Sequence, residues 1–191
     1  MLGVSAALYS VGLGTDYIRL ERERQEFTAG IPVVPEGARL LPLIFKHKEP
    51  SANTRVILHE WGYYVAEKLT AAPLLFAHSH SFPVMYSAPP PVRFNHIVLE
   101  GFARSMAQPS VVCQRLIEVG IVINNCGDAY NSAWNEFWAE ATPRYDHLLV
   151  WDVTPEAHSH IPSVYKPVFD QGRLQIYARQ NTDLSSTKTS P

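Results

Sequence analysis

"YDHLLVWDVTPEAHSHIPSVYKPVFDQGRLQIYAR", residues 145–179, decides the fold class. Leu148–Trp151 are four apolar residues in a row with no alternation, the pattern of a short strand covered on both faces. Thr154 followed by Pro155 reads as a helix start, a capping hydroxyl before a proline whose missing N–H costs nothing there, so "TPEAHSHIP" is expected to form a helical turn. "YKPVFDQGRLQIYAR" alternates across the four-residue turn "DQGR" between Phe169 and Leu174, where Gly172 is free to take a positive φ, which predicts a hairpin over Val164–Tyr177. The Leu148–Trp151 strand should be central, with the hairpin beside it or at an edge.

Upstream, strand and helix signals alternate. "TAGIPVVPEGA" is a loop with two prolines and two glycines, and "RLLPLIF" after it predicts a strand over Arg39–Phe45. In "RVILHEWGYYVAEKLTAA" the residues Leu58, Trp61, Val65 and Leu69 recur at helical spacing and are expected to share one buried face. "PLLFA", residues 73–77, reads as a second strand, and three consecutive prolines at 89–91 end regular structure. The stretch from Phe94 fits helix or strand equally; a helix follows over Pro109–Glu118, then a β-rich run "GIVIN" ending at Asn124. Tyr130, Trp134, Phe137, Trp138 and Ala141 mark one face of a helix that Pro143 stops, and this aromatic stripe reads as core. Together these signals predict a single α/β domain over residues 15–180, a mixed sheet flanked by helices with a C-terminal β-hairpin. Residues 181–191 carry no hydrophobic pattern and read as a disordered tail.

The opening is different in kind. "MLGVSAALYSVGLG", residues 1–14, is apolar and uncharged, without the basic start of a signal peptide and shorter than the roughly 20 residues that cross a bilayer. It fits the end of a membrane helix, a short anchor or a buried first helix. From Asp16 the chain turns polar in "DYIRLERERQEF", where Ile18, Leu20 and Phe27 are the apolar positions of a helix among dense charge.

Composition narrows the function classes. With 191 residues, 46% of them hydrophobic, the chain buries one substantial core. Sixteen basic against 18 acidic side chains give no cationic field of the kind that holds a phosphate backbone, so nucleic acid is not an expected partner. Cys113 and Cys126 lack C-x-x-C spacing and read as two buried free thiols, a bridge between them requiring an oxidising compartment.

Two H-x-H tripeptides, His78/His80 and His158/His160, are the candidate ligands, because in an extended segment residues i and i+2 point to one side and both rings can reach one metal. The second tripeptide falls in the expected helical turn, where i and i+2 diverge by about 200°. "HEWGY" at His59 has only the start of a helical H-E-x-x-H motif, and no cofactor is expected. No G-x-S-x-G elbow and no Gly-rich phosphate loop occur. Glu136 and Glu140 stand four apart on a helix and read as solvated carboxylates. Asp152 directly follows the central strand, where ligands of α/β sheets collect, with a turn or helix cap as the plainer reading.

In the order of its elements, residues 15–180 resemble the C-terminal extramembrane domain of bacterial polytopic membrane proteins related to the C-type glycosyltransferases. "YDHLLVWDV" stands where that family has a "YDYLLVWG" strand, "VYKPVF" and "GRLQIY" match its closing strands, and "VVPEGARLLPLIF", "HEWGYYVAEKLTAAPLLFA" and "YSAPPP" match upstream. The resemblance implies a domain on the extracytoplasmic side, following membrane helices that hold a lipid-linked sugar donor, with membrane segments and glycan or lipid-linked sugar as partners. The family's acidic catalytic residues lie between those helices, so no catalytic role carries over to this chain. The expectation is a non-catalytic domain that recognises glycan or lipid headgroups; the alternative is a metal-dependent hydrolase using the H-x-H histidines.

Overall fold

The computed structural model describes residues 2–45, 59–73, 90–120 and 125–180, the side chains of 2–8 and 96–97 excepted. A long helix α1 (Leu2–Thr28) leads through a 3-10 turn at Ile31–Val33 into β1 (Leu40–Ile44). Helices α2 (Trp61–Lys68), α3 (His96–Ser105), α4 (Pro109–Glu118) and α5 (Cys126–Ala141) precede β2 (His147–Trp151). The short α6 (Pro155–His158) then gives way to the hairpin β3 (Tyr165–Gln171) and β4 (Leu174–Arg179). The sheet runs β1-β2-β4-β3, with β1 and β2 parallel and the other pairs antiparallel, so the α/β reading with a mixed sheet and a closing hairpin holds.

Burial explains why β2 reads as an unbroken apolar run. Leu148, Leu149, Val150 and Trp151 are all buried, because both faces of the inner strand are covered. Leu149 opposes Ile176 and Trp151 opposes Leu174, and this face meets α1 and α2: the rings of Phe27 and Trp151 are 5.1 Å apart. Leu148 opposes Tyr177 on the other face, where His158 of α6 reaches the Tyr177 hydroxyl and Trp138 of α5 lies 5.9 Å from Tyr165. The molecule is therefore three layers thick, with α1 and α2 on one side of the sheet and α5 and α6 on the other. β3 is the exposed edge, and Pro167, which has no N–H to offer a further strand, sits there beside a register shift.

Close packing under α1 depends on a missing side chain. A Cβ at Gly30 would lie 2.7 Å from Cγ1 of Ile176 and 2.9 Å from the Tyr64 hydroxyl, which donates to the Phe27 carbonyl at 2.7 Å. Gly30→Ala is expected to cost about 1 kcal/mol through this overlap, read as a lowered denaturation midpoint with unchanged m-value.

Several expectations are confirmed in detail. α4 spans Pro109–Glu118, and the aromatic stripe of α5 is core. Thr154 caps α6 by accepting from the Ala157 N–H. Gly172 takes a positive φ of 60° as expected, but the turn is two residues rather than the four of "DQGR": Asp170 and Gln171 pair as part of β3, and Gly172 opens the turn, the position of glycine in a II′ loop. The ambiguous stretch after Phe94 is helix α3.

Others need correction. On α2, Trp61 and Tyr64 are buried while Leu69 is 66% exposed. Leu69 leaves the helix at φ 51°, and this left-handed step turns it outward and sends Ala71 to β1, where its carbonyl accepts from Leu40 at 2.9 Å. Cys113 and Cys126 are not buried free thiols; they are half-buried and form a disulfide. The packing of α4 on α5 brings their Cα atoms to 5.5 Å, inside the range a bridge requires. Leu58, the "PLLFA" strand beyond Pro73, residues 121–124 of "GIVIN" and the 181–191 tail lie outside the described residues.

Candidate functional site

The parallel pair β1–β2 directs both strand C-termini to one end of the sheet, where Asp152 sits. It takes a left-handed conformation, φ 51°, and its N–H donates to the Arg173 carbonyl at 2.8 Å, which binds the end of β2 to the β3–β4 turn. Asp152 is thus a turn residue; the cap of α6 is Thr154, whose hydroxyl also donates to the Ala107 carbonyl after α3.

Arg173 is the residue that the sequence did not single out. Its guanidinium lies 4.5 Å above the Trp151 ring, donates to Glu26 Oε2 at 2.7 Å and to Glu23 Oε1 at 3.0 Å, and its backbone N–H donates to Glu26 Oε1 at 2.7 Å. Two carboxylates of α1 thereby close on one cation stacked against the central strand. Burial alone would raise Glu26, but the side-chain and backbone hydrogen bonds from Arg173 outweigh it and hold its carboxyl below the ordinary range. Gly172 completes the fit, since a Cβ there would collide with Glu26 Oε1. An "ERERQE" run looks like solvated helix surface, and only the fold shows that the residues at 23 and 26 face inward. At the opposite end of the sheet, Asp146 accepts from the Arg39 N–H at 2.9 Å and Nε at 3.0 Å, with His147 Nδ1 at 2.7 Å.

The two described histidine candidates go to different neighbours. His158 Nε2 lies 3.0 Å from the Tyr177 hydroxyl, which donates to Gln175 Oε1 at 2.8 Å. With the phenol proton committed to Gln175, Nε2 must carry the hydrogen and the polar chain runs from α6 into the sheet. Burial pushes the Tyr177 phenol up to about 12. His160 instead stacks on Trp134 at 5.7 Å and meets Tyr130 edge-on at 5.0 Å; burial lowers its pKa, so it stays neutral at pH 7. The pair straddles the end of α6, His158 its last residue and His160 in the turn that follows, where its N–H donates to the Ala157 carbonyl at 3.1 Å, and the two rings go to different neighbours. His78 and His80 lie outside the described residues, and among those described no three His, Cys, Asp or Glu side chains gather as a metal-holding group. Glu136 and Glu140 share Arg93, at 3.5 and 3.6 Å.

Two shallow grooves meet at Arg24. One, of about 450 Å³, runs between α1 and α2 and is lined by Arg24, His59, Glu60, Gly62, Tyr63 and Ala66. The other, of about 700 Å³, follows α1 from Tyr17 to Gln25. Arg24 sits 5.6 Å above the Tyr63 ring and bonds Glu21 through Nε at 2.8 Å and Nη2 at 2.5 Å, which holds the Glu21 carboxyl down to about 2.

The rest of α1 has no such neighbours. Residues 9–15 are exposed on every side of the helix, with Tyr9 69%, Val11 67% and Leu13 40% accessible. The helix runs through Gly12, Gly14 and the apolar-to-charged boundary at Asp16 without a break. It is thus one rod with two halves, an uncharged half whose residues 9–14 are exposed and a charged half clamped to the sheet by Arg173.

No family model, curated protein or solved structure matches the chain.

Proposed function

We propose that this chain is a non-catalytic extramembrane domain of a membrane protein similar to the C-type glycosyltransferases, held at the bilayer by the first half of α1 on the extracytoplasmic side. The observation that carries the reading is the uncharged half of α1. A helix that is apolar all round belongs in a core or in lipid, and a short isolated one is marginal in water. Here residues 9–15 contact no core, while Tyr9 and Tyr17, 69% and 70% exposed, are the residue type that favours the headgroup level. Among the described residues no helix is long and apolar enough to cross a membrane, so the contact proposed is insertion of one helix end. The Cys113–Cys126 disulfide supports an oxidising compartment. The grooves at Arg24 would then lie at headgroup level, offering aromatic faces and hydrogen-bonding charge to a glycan or lipid headgroup.

Flotation with vesicles of phosphatidylethanolamine and phosphatidylglycerol tests the reading. The full chain is expected to float and a chain lacking residues 1–14 to stay in the aqueous fraction with an unchanged melting temperature. A full chain that remains aqueous, or a deletion that unfolds the domain, refutes it.

A further inference from the structure

We propose that the Cys113–Cys126 disulfide is a reducible latch that keeps α4 on the domain, so that a dithiol releases this helix while the sheet stays folded. The inference is independent of any membrane contact. α4 is a ten-residue helix with no buried residue, and its N-cap, Gln108, makes no side-chain capping bond. A helix of that length is not stable alone in water and must borrow its order from packing. That packing is thin: α5 is its principal neighbour, Val112 reaches the core only in part, and Ile117 and Val119 are each 69% exposed. The one covalent tie fastens Cys113, in the middle of α4, to Cys126, the first residue of α5. α5 by contrast is rooted by Tyr130, Trp134, Phe137, Trp138 and Ala141, all buried, and does not need the bond to hold its place.

Both cysteines are half-buried, so a small thiol can reach them. The thiolate of a dithiol attacks one sulfur and forms a mixed disulfide, expelling the other cysteine as a thiolate that takes up a proton. The second thiol of the reagent then displaces the remaining cysteine. The protein ends with two thiols, two electrons more reduced, and the reagent as a cyclic disulfide. With the bond the two Cα atoms stay 5.5 Å apart; without it only the intervening stretch of backbone, a 13-residue separation, ties α4 to α5.

Hydrogen exchange read by mass spectrometry, with and without dithiothreitol, tests the latch, free thiols being titrated alongside. The untreated chain should titrate no free thiol and the treated chain two. On reduction, α4 amides should exchange roughly a hundredfold faster while β2 and β4 keep their protection. The doubly substituted Cys113→Ser, Cys126→Ser chain should show the fast α4 pattern without reductant. Unchanged α4 protection after full reduction, loss of protection across β2 and β4 together with α4, or free thiols before treatment would each overturn the proposal.

Discussion

Trp134→Ala is expected to cost about 3–5 kcal/mol, the largest single-residue effect in the domain, and to lower the melting temperature by roughly 10 °C. Trp134 is fully buried and lies within 5.2 Å of Phe102, 5.8 Å of Phe137 and 5.8 Å of Trp138, with Phe45 at 6.2 Å carrying the contact to the end of β1. Truncation removes the ring around which α3, α5 and the sheet meet, and neighbours that are themselves rigid rings collapse poorly into the space. Trp134→Phe keeps part of the volume and should cost clearly less. A second readout separates this from general loosening: in the Ala variant His160 loses the ring it stacks on and becomes better hydrated, so its pKa should move back up, followed by NMR below the melting transition, whereas the Phe variant, which keeps a ring there, should move it less. Equal stability of the Ala variant and the parent would refute the assignment of Trp134 as the hub.

Arg173→Ala should cost about 2 kcal/mol. Breaking a fully buried ion pair costs about 3–5 kcal/mol, but Arg173 keeps 34% of its side-chain surface exposed, so solvent screening lowers the figure. What remains comes from Glu23, only 10% exposed in its side chain, and Glu26, 26% exposed, both losing their cation. Among the described residues Glu23 Oε2 already lacks a hydrogen-bond partner, so no second donor stands ready for that carboxylate. The pH dependence follows in sign. Glu26 has a lowered folded-state pKa, so its contribution is present above the unfolded value of about 4.3 and is lost as pH falls through the folded value. Removing Arg173 should flatten that acid limb, because burial then acts on Glu26 unopposed. Denaturant melts at pH 7 and across pH 5 to 2.5 check both; an undiminished acid limb in the variant would refute the clamp.

How legible the molecule was in its sequence depended on the range of the physics involved. β2, α6 and the hairpin could be read because their determinants are local: an apolar run, a Thr-Pro start, a glycine at a turn. α4 and the stripe of α5 were legible for the same reason. Leu69 misled because helical spacing counts a residue as facing the core until the chain leaves the helix, and the left-handed step that turns it out is set by the pairing of Ala71 with Arg39. The disulfide was hidden because its spacing matches no motif and only the docking of α4 on α5 brings the sulfurs together. The candidate site divided along the same line. The separation of His158 and His160 is a local matter of the short helix and the turn that ends it, whereas the Arg173 clamp joins residues about 150 positions apart and leaves no local trace.

The strand order carries a consequence for synthesis. β4, the last of the four strands to be made, is not an edge; it lies between β2 and β3. Until residue 179 has left the ribosome, β2 has the backbone groups of one flank unpaired, and β3 has nothing to pair with. The sheet therefore cannot close progressively from the N-terminus, and its ordering waits for the arrival of a late segment with contacts far back in the chain, a demand that slows folding and exposes strand edges in the interval. A premature stop before Leu174 would leave β3 without the strand that joins it to β2, with β1 and β2 still able to pair.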